Sequence, residues 1–199
     1  MMSLDDYFCT DFQDKFFIRE WRHALAILKY EFPVEFKDLL NVLSPFELRK
    51  SNITTGGGGK SKVSGYLDSG LYDRGWEEKQ FDTVITIDGD AHKTPTHKID
   101  CVKNRIALDI EWNNKTEFYD RDLNNFRLLH ALGAISVGII VTRTSELQQK
   151  IFKPLGIHKK YGSSTTHYDK LLPKIEGGGA GGCPLLVLAV KPDAYVNDD

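Results

Sequence analysis

One stretch of this chain, residues 98–115 (KIDCVKNRIALDIEWNNK), constrains the fold more than any other. Between Ile106 and Trp112 the residues alternate in character, and side chains two apart on an extended chain point to the same side. Leu108, Ile110 and Trp112 therefore face a core, while Asp109 and Glu111 project together from the opposite face. The run KIDCV just upstream also reads as a strand, and a tight turn through Lys103, Asn104 and Arg105 folds the two into an antiparallel hairpin. That turn brings Asp100, nine residues before Asp109, to the same end of the hairpin. Three carboxylates then converge on one spot.

Such a cluster is costly as anions unless a cation neutralises it, and a set of oxygen ligands alone suits Mg2+, with Mn2+ as a substitute. The bland alternative is an edge strand whose acids simply face water.

Around this hairpin the pattern is mixed. Trp21, Leu25, Leu28 and Phe32 fall at helical spacing, and past Pro33 so do Phe36, Leu39 or Leu40, and Leu43, which predicts an N-terminal pair of helices. Val63, Leu67 and Leu71 form another apolar stripe, weakened by Gly65 and Gly70. FDTVITIDGD reads as a strand ending in a turn. Tyr119, Leu123, Phe126 and Leu129 line one face of a helix whose other face carries Arg121, Asn124, Asn125 and Arg127. AISVGIIVT and PLLVLAV are buried strands, and no internal repeat is present.

Two glycine-rich runs invite a nucleotide reading, and both decline it. TTGGGGKSK (residues 54–62) ends in Lys-Ser-Lys, but a phosphate-cradling P-loop needs glycine where Thr54 stands. EGGGAGGCP carries a formal G-x-G-x-x-G at Gly177, Gly179 and Gly182, yet Pro184 and a strand follow where the dinucleotide fingerprint requires a helix. Both runs read as loops, the first a basic one able to meet nucleic-acid phosphates through Lys60 and Lys62.

Composition bounds the rest. With 199 residues and 41% hydrophobic content, the chain suits one domain with a sizeable core. The net charge of -2 argues against a uniformly basic coat, but residues 47–62 gather Arg49, Lys50, Lys60 and Lys62 against Glu47 alone. Cys9, Cys101 and Cys183 lack paired spacing, and the six histidines lack ligand spacing. The opening MMSLDDYF has no basic-then-apolar segment, and the longest apolar run is too short for a bilayer. The expectation is a cytoplasmic protein with reduced thiols and no membrane partner.

An acid, about nine residues, then (D/E)-x-(E/Q/K) on a strand is the signature of the PD-(D/E)XK nucleases. More narrowly, DCVKNRIALDIEW resembles the metal-site hairpin of the BglII/BstYI group of type II restriction endonucleases, with BamHI a more distant relative. In that group the usual lysine of the signature is replaced, and Glu111 stands at its position here. The resemblance extends through SKVS after the glycines, the helix after the acids, SSTTHY (residues 163–168) and PLLVL, roughly residues 50–190 in order. One departure is Asp109, where these relatives carry Glu.

The resemblance implies an α/β, restriction-endonuclease-like core with a central mixed β-sheet flanked by helices. Residues 1–199 would form a single nuclease domain with an N-terminal helical element over about residues 1–46. It implies a type II restriction endonuclease, hydrolysing phosphodiester bonds in both strands of DNA with Mg2+ at a short palindromic site, with six bases and a GATC core as the expectation, and leaving 5'-phosphate ends. Asp100, Asp109 and Glu111 would be catalytic, and metal would be held by Asp100, Asp109, Glu111 and the backbone carbonyl of Ile110. Asn113 and Asn114 follow the catalytic strand where that group places base-contacting residues, since Asn can bind adenine through two hydrogen bonds. Ser163, Ser164, Thr165 and Thr166 are a second candidate reader, and Arg49, Lys50, Lys60, Lys62, Lys159 and Lys160 candidate phosphate contacts. Polar turns and solvated lysines are the plain alternatives. The partners implied are double-stranded DNA, a second copy of the chain in a homodimer, and a separate cognate DNA methyltransferase. By analogy the helix at residues 116–132 would be the dimer face, with Arg121, Asn124 and Arg127 in contact. Two other readings compete: a catalytically silent DNA-binding protein of the same fold, and a DNA repair or junction-cleaving nuclease.

Overall fold

The computed structural model describes residues 3–55, 59–162 and 164–199. In chain order the elements are α1 (Thr10–Lys15), β1 (Phe16–Trp21), α2 (Ala24–Glu31), α3 (Pro33–Leu43), β2 (Leu48–Arg49), α4 (Lys50–Thr54) and α5 (Lys62–Tyr72). They continue as β3 (Glu77–Lys79), β4 (Val84–Ile87), β5 (Asp90–Lys93), β6 (Ile99–Lys103), β7 (Ile106–Ile110) and α6 (Phe118–Ala131). Last come β8 (Val137–Arg143), α7 (Tyr168–Glu176), β9 (Leu185–Val190) and β10 (Tyr195–Val196).

Six strands form one mixed sheet in the order β1-β9-β8-β7-β6-β3. β7, β8 and β9 run parallel, whereas β1 joins β9, β6 joins β7 and β3 joins β6 antiparallel. Parallel strands are covered by helices on both faces and so read as continuous apolar runs. Every residue of β8 and β9 is buried, as VGIIV and LLVLAV lead one to expect. On one face Ile106, Leu108, Ile110 and Trp112 pack in a core with residues of α2, α3 and α5. On the other, Tyr119, Leu123, Phe126 and Leu129 of α6 and Leu171 and Ile175 of α7 cover Ala107, Ile140 and Val187. Gly138 makes that contact possible, because a Cβ there would lie 2.5 Å from the Phe126 ring. The architecture is thus the expected α/β arrangement, a central mixed sheet flanked by helices.

The hairpin that carries the acids closes tightly. Lys103 faces Ile106, and the two residues between them, Asn104 and Arg105, both have positive φ, 43° and 72°. A two-residue loop of that kind twists in the sense its flanking strands require.

The N-terminus differs from the expected pair of helices. Trp21, placed by helical spacing, ends β1, and the first of the two helices starts at Ala24. Phe16 and Ile18 are buried while Phe17 and Arg19 point outward, a period of two that a helical reading of Trp21, Leu25 and Leu28 hides. The segment FDTVITIDGD does form a strand, β4, but it pairs only with β5 around a turn at Asp88 and Gly89 and stands outside the central sheet. The second glycine run turns the chain from α7 to β9, with Gly178 and Gly181 at φ of +87° and +57°. Of the first run, Gly56, Gly57 and Gly58 lie outside the described residues; Ser61 caps α5, its hydroxyl accepting the Ser64 amide at 2.9 Å. Among the described residues no helix is long and apolar enough to cross a membrane. Cys9, Cys101 and Cys183 are free thiols.

Candidate active site

β6 and β7 clasp each other at the open end of their hairpin. The Asp100 amide donates to Asp109 Oδ1 at 3.0 Å, and the Ile110 amide donates to Asp100 Oδ2 at 2.9 Å. Asp100 and Ile110 lie at the wall of a cleft of about 520 Å3 bounded opposite by Lys60, Ser61, Lys62 and Ser64 at the start of α5, and by Asn113, Asn114 and Lys160. Asp109 and Glu111 share a face of the strand, but that face is turned under α6, and each is only 1% exposed.

Beneath α6 these two acids meet a third that sequence reasoning missed, Asp122, which is fully buried. Arg121 joins the group: its Nη2 lies 2.8 Å from Asp122 Oδ1 and 3.5 Å from Glu111 Oε1, and its guanidinium lies over the Phe118 ring. Asn114 Nδ2 donates to Glu111 Oε2 at 2.9 Å. Three buried carboxylates thus lie near one guanidinium that pairs with only two of them, Glu111 and Asp122, an imbalance that must be made up by protons or by another cation. Burial, then the neighbouring Asp122 charge, pushes the Glu111 carboxyl up to about 9. Burial, then Asp122 and Asp100, raises Asp109 well above the ordinary carboxylate range, and burial raises Asp100 as well. A signal for Asp122 does exist in the sequence, since it sits three residues after Tyr119 and four before Phe126, on the apolar stripe of its helix.

A fourth acid, Asp68 of α5, is buried on the other side of the cleft, where it forms an ion pair with Lys60 and accepts from the Cys101 thiol at 3.6 Å. Tyr72 of the same helix donates to the Asp100 carbonyl at 2.9 Å. Among the described residues no three His, Cys, Asp or Glu side chains are grouped as a ready-made metal cage. The donor chemistry nonetheless fits a hard divalent cation: Asp100, Asp109 and Glu111 supply only oxygens, and among the described residues nothing donates to the buried Oδ2 of Asp109.

The residues expected to meet DNA fall into two groups. Asn113 and Asn114 line the cleft, although each amide already has a protein partner, Asn113 Nδ2 donating to the Lys160 carbonyl at 3.2 Å and Asn114 Nδ2 to Glu111. Ser164 is exposed and Ser163 lies outside the described residues. Thr165 and Thr166 are turned inward: the Thr165 hydroxyl accepts from Arg143 and donates to the Gly162 carbonyl, and the fully buried Thr166 hydroxyl accepts the Asn114 amide. Of the lysines, Lys62 and Lys60 border the cleft, Lys50 pairs with Asp199, and Lys160 donates to the carbonyls of Ile53 and Thr55. Arg49 pairs with Glu47 and Lys159 is exposed. On α6, Asn124 and Arg127 bond each other at the surface, whereas Arg121 is committed to the buried acids and Asn125 is itself buried.

A parallel-centred mixed sheet that carries an acid on one strand of a hairpin and D-x-E at the end of the next, beside a cleft edged with lysines, is the arrangement expected of a nuclease of the PD-(D/E)XK class. Comparison with protein-family models makes this specific. The chain belongs to the BglII/BglIII restriction endonuclease family, whose model matches residues 16–190. No curated protein matches the chain. The chain is thus a type II restriction endonuclease, a site-specific deoxyribonuclease acting on double-stranded DNA, and enzymes of this kind generally use divalent metal ions.

Proposed function

We propose that the enzyme cuts both strands of a short palindromic DNA site in a Mg2+-dependent reaction, leaving 5'-phosphate ends, and that residues 1–199 act as a single nuclease domain. The observation that carries this is the clasped hairpin: Asp100 lies at the wall of a cleft faced by Lys60 and Lys62, and the bonds that Asp100 and Asp109 make to each other's strand hold the buried Asp109 directly behind it. Asp100, Asp109, Glu111 and the Ile110 carbonyl would hold the ion. When bound, a divalent ion supplies neutralisation of charge on the scissile phosphate and acidification of the attacking water.

The side chains do the rest. Asn114 and Arg121 keep the Glu111 carboxylate oriented, and Lys60 and Lys62 attract the phosphate backbone into the cleft. No lysine stands beside Asp109 in the signature, so Glu111 occupies that place as the residue that orients water. Asn113, Asn114, Ser163 and Ser164 are the proposed base contacts, and the buried Thr166 braces Asn114 from within. A homodimer presents the same readers to both halves of a palindrome; the site proposed is six bases with a GATC core, protected in the cell by a separate methyltransferase.

Digestion of unmethylated plasmid DNA with Mg2+, for the wild type and for the Asp100→Ala, Asp109→Ala double variant, tests this reading. Discrete fragments made by the wild type and lost in the variant are expected, with chelation abolishing cutting and Mn2+ replacing Mg2+. Specific binding without cleavage in either metal refutes the catalytic assignment and favours a silent DNA-binding relative. Structure-selective nicking of branched DNA favours a repair nuclease.

A further inference from the structure

Beyond β7 the catalytic strand runs out of the sheet into residues 111–116, and its attachments there include bonds to β8 and to residues 164–166. Glu111 and β8 are joined by two bonds, from the Glu111 amide to the Val141 carbonyl at 2.9 Å and from the Thr142 hydroxyl to the Glu111 carbonyl at 2.8 Å. Next along β8 comes Arg143, a charged residue at the end of an otherwise uncharged strand and only 1% exposed. Among the described residues no carboxylate pairs with it. Its Nε donates to the Trp112 carbonyl at 3.2 Å and its Nη2 to the Thr165 hydroxyl at 2.7 Å, while the Phe152 and Tyr161 rings lie 5.4 and 5.7 Å from the guanidinium carbon.

A buried guanidinium without a counter-ion is unfavourable unless its donors are satisfied, and these two acceptors belong to two separate segments. The segments are laced together further on. The Asn114 amide donates to the Thr166 hydroxyl, the Thr166 amide to the Asn114 carbonyl at 2.9 Å, and the Thr116 amide to the Ser164 carbonyl at 3.2 Å. Asn114 closes the chain of contacts, since its side chain holds Glu111.

We propose that Arg143 is a positioning residue that fastens the loop at residues 164–166 to the exit of the catalytic strand, so that the seating of this loop on DNA is transmitted through Asn114 to Glu111. Recognition and cleavage are then mechanically coupled. The functional half of this inference rests on the restriction reading above. A lysine cannot replace Arg143, because a single ammonium lacks the planar fork that reaches both acceptors.

Hydrogen exchange of the whole protein, together with single-turnover cleavage of the cognate site and of sites altered at one base, tests the coupling in Arg143→Lys and Thr165→Val. Arg143 is too buried to touch DNA, and Thr165→Val keeps Arg143 in place should the first variant fold poorly. In both, the amides of Asn114, Thr116 and Thr166 should exchange about tenfold faster or more while β7 to β9 remain protected, as loss of a charge-assisted bond predicts. Discrimination between cognate and altered sites should fall about tenfold, carried by the cleavage rate and not by DNA affinity. Unchanged local exchange, a uniform loss of protection throughout the sheet, or local loosening with discrimination intact each overturns the proposal. If the wild type cuts no DNA, the restriction reading falls, and the exchange pattern by itself decides whether Arg143 fastens the loop.

Discussion

Replacing Glu111 with Gln should change how the metal-free protein responds to pH. Its carboxyl is pushed from an ordinary 4.5 up to about 9, first by burial and then by Asp122, so across that interval the folded chain holds a proton that the unfolded chain has released. Stability is then fully present below the unfolded value and declines as pH rises towards the folded value. One extra bound proton corresponds to a slope of about 1.4 kcal/mol per pH unit, so the wild type should lose on the order of 3 kcal/mol between about pH 5.5 and 7.5. Asp109, raised in the same direction, adds to the decline. Glu111→Gln has nearly the same shape, can still accept from Asn114, and does not titrate. Urea unfolding followed by circular dichroism at several pH values, in the presence of chelator, should show the wild type weakening with rising pH and the variant declining less steeply by about one proton. Millimolar Mg2+ should stabilise the wild type most at the alkaline end, because a cation replaces the proton. Parallel stability curves for the two proteins refute the reasoning, since they mean that Glu111 has the same proton affinity folded and unfolded.

The other predictions concern packing and the cleft. Gly138→Ala should destabilise by about 1–3 kcal/mol, because its new methyl group would overlap the Phe126 ring; an unchanged urea midpoint contradicts that packing. Ser61→Ala removes the cap of α5 and should cost about 1 kcal/mol, measurable in the same assay. Arg105→Gly relieves a left-handed residue in the β6–β7 turn and should raise stability by about 0.5–1 kcal/mol, with cleavage unaffected. Lys60→Ala and Lys62→Ala should weaken DNA binding with little change in sequence preference, and the dependence of affinity on salt should become shallower by about one unit for each phosphate that the protein no longer neutralises.

Much of the sheet is visible in single runs of residues. The unbroken apolar stretches of β8 and β9 announce strands buried on both faces, and IALDIEW announces a strand with one face apolar and the other acidic. Asn104 and Arg105 between two such runs suffice for a hairpin that sets Asp100 beside Asp109. β1 was hidden, because FFIREW is short and Trp21 happens to keep step with the helix that follows. It becomes a strand only because β9 offers an edge, with Phe16 opposite Val190 and Trp21 opposite Leu185. β4 shows the converse: its strand character is evident, but nothing local says that it pairs with β5 alone.

The sequence by itself therefore determined the hairpin, the identity of its three acids and their oxygen-only chemistry, because all of these follow from alternation and spacing within a single short stretch. Only the tertiary structure decided what surrounds them. Asp122 and Arg121 arrive from α6, Asp68 and Lys60 from α5 and the loop before it, and Arg143 and Thr166 tie down the chain where it leaves β7. Periodicity shows which way a side chain points, but whether it ends in water or beneath a helix depends on which elements pack together. That packing also turns Asp109 and Glu111 from a solvated pair into buried acids with raised proton affinities.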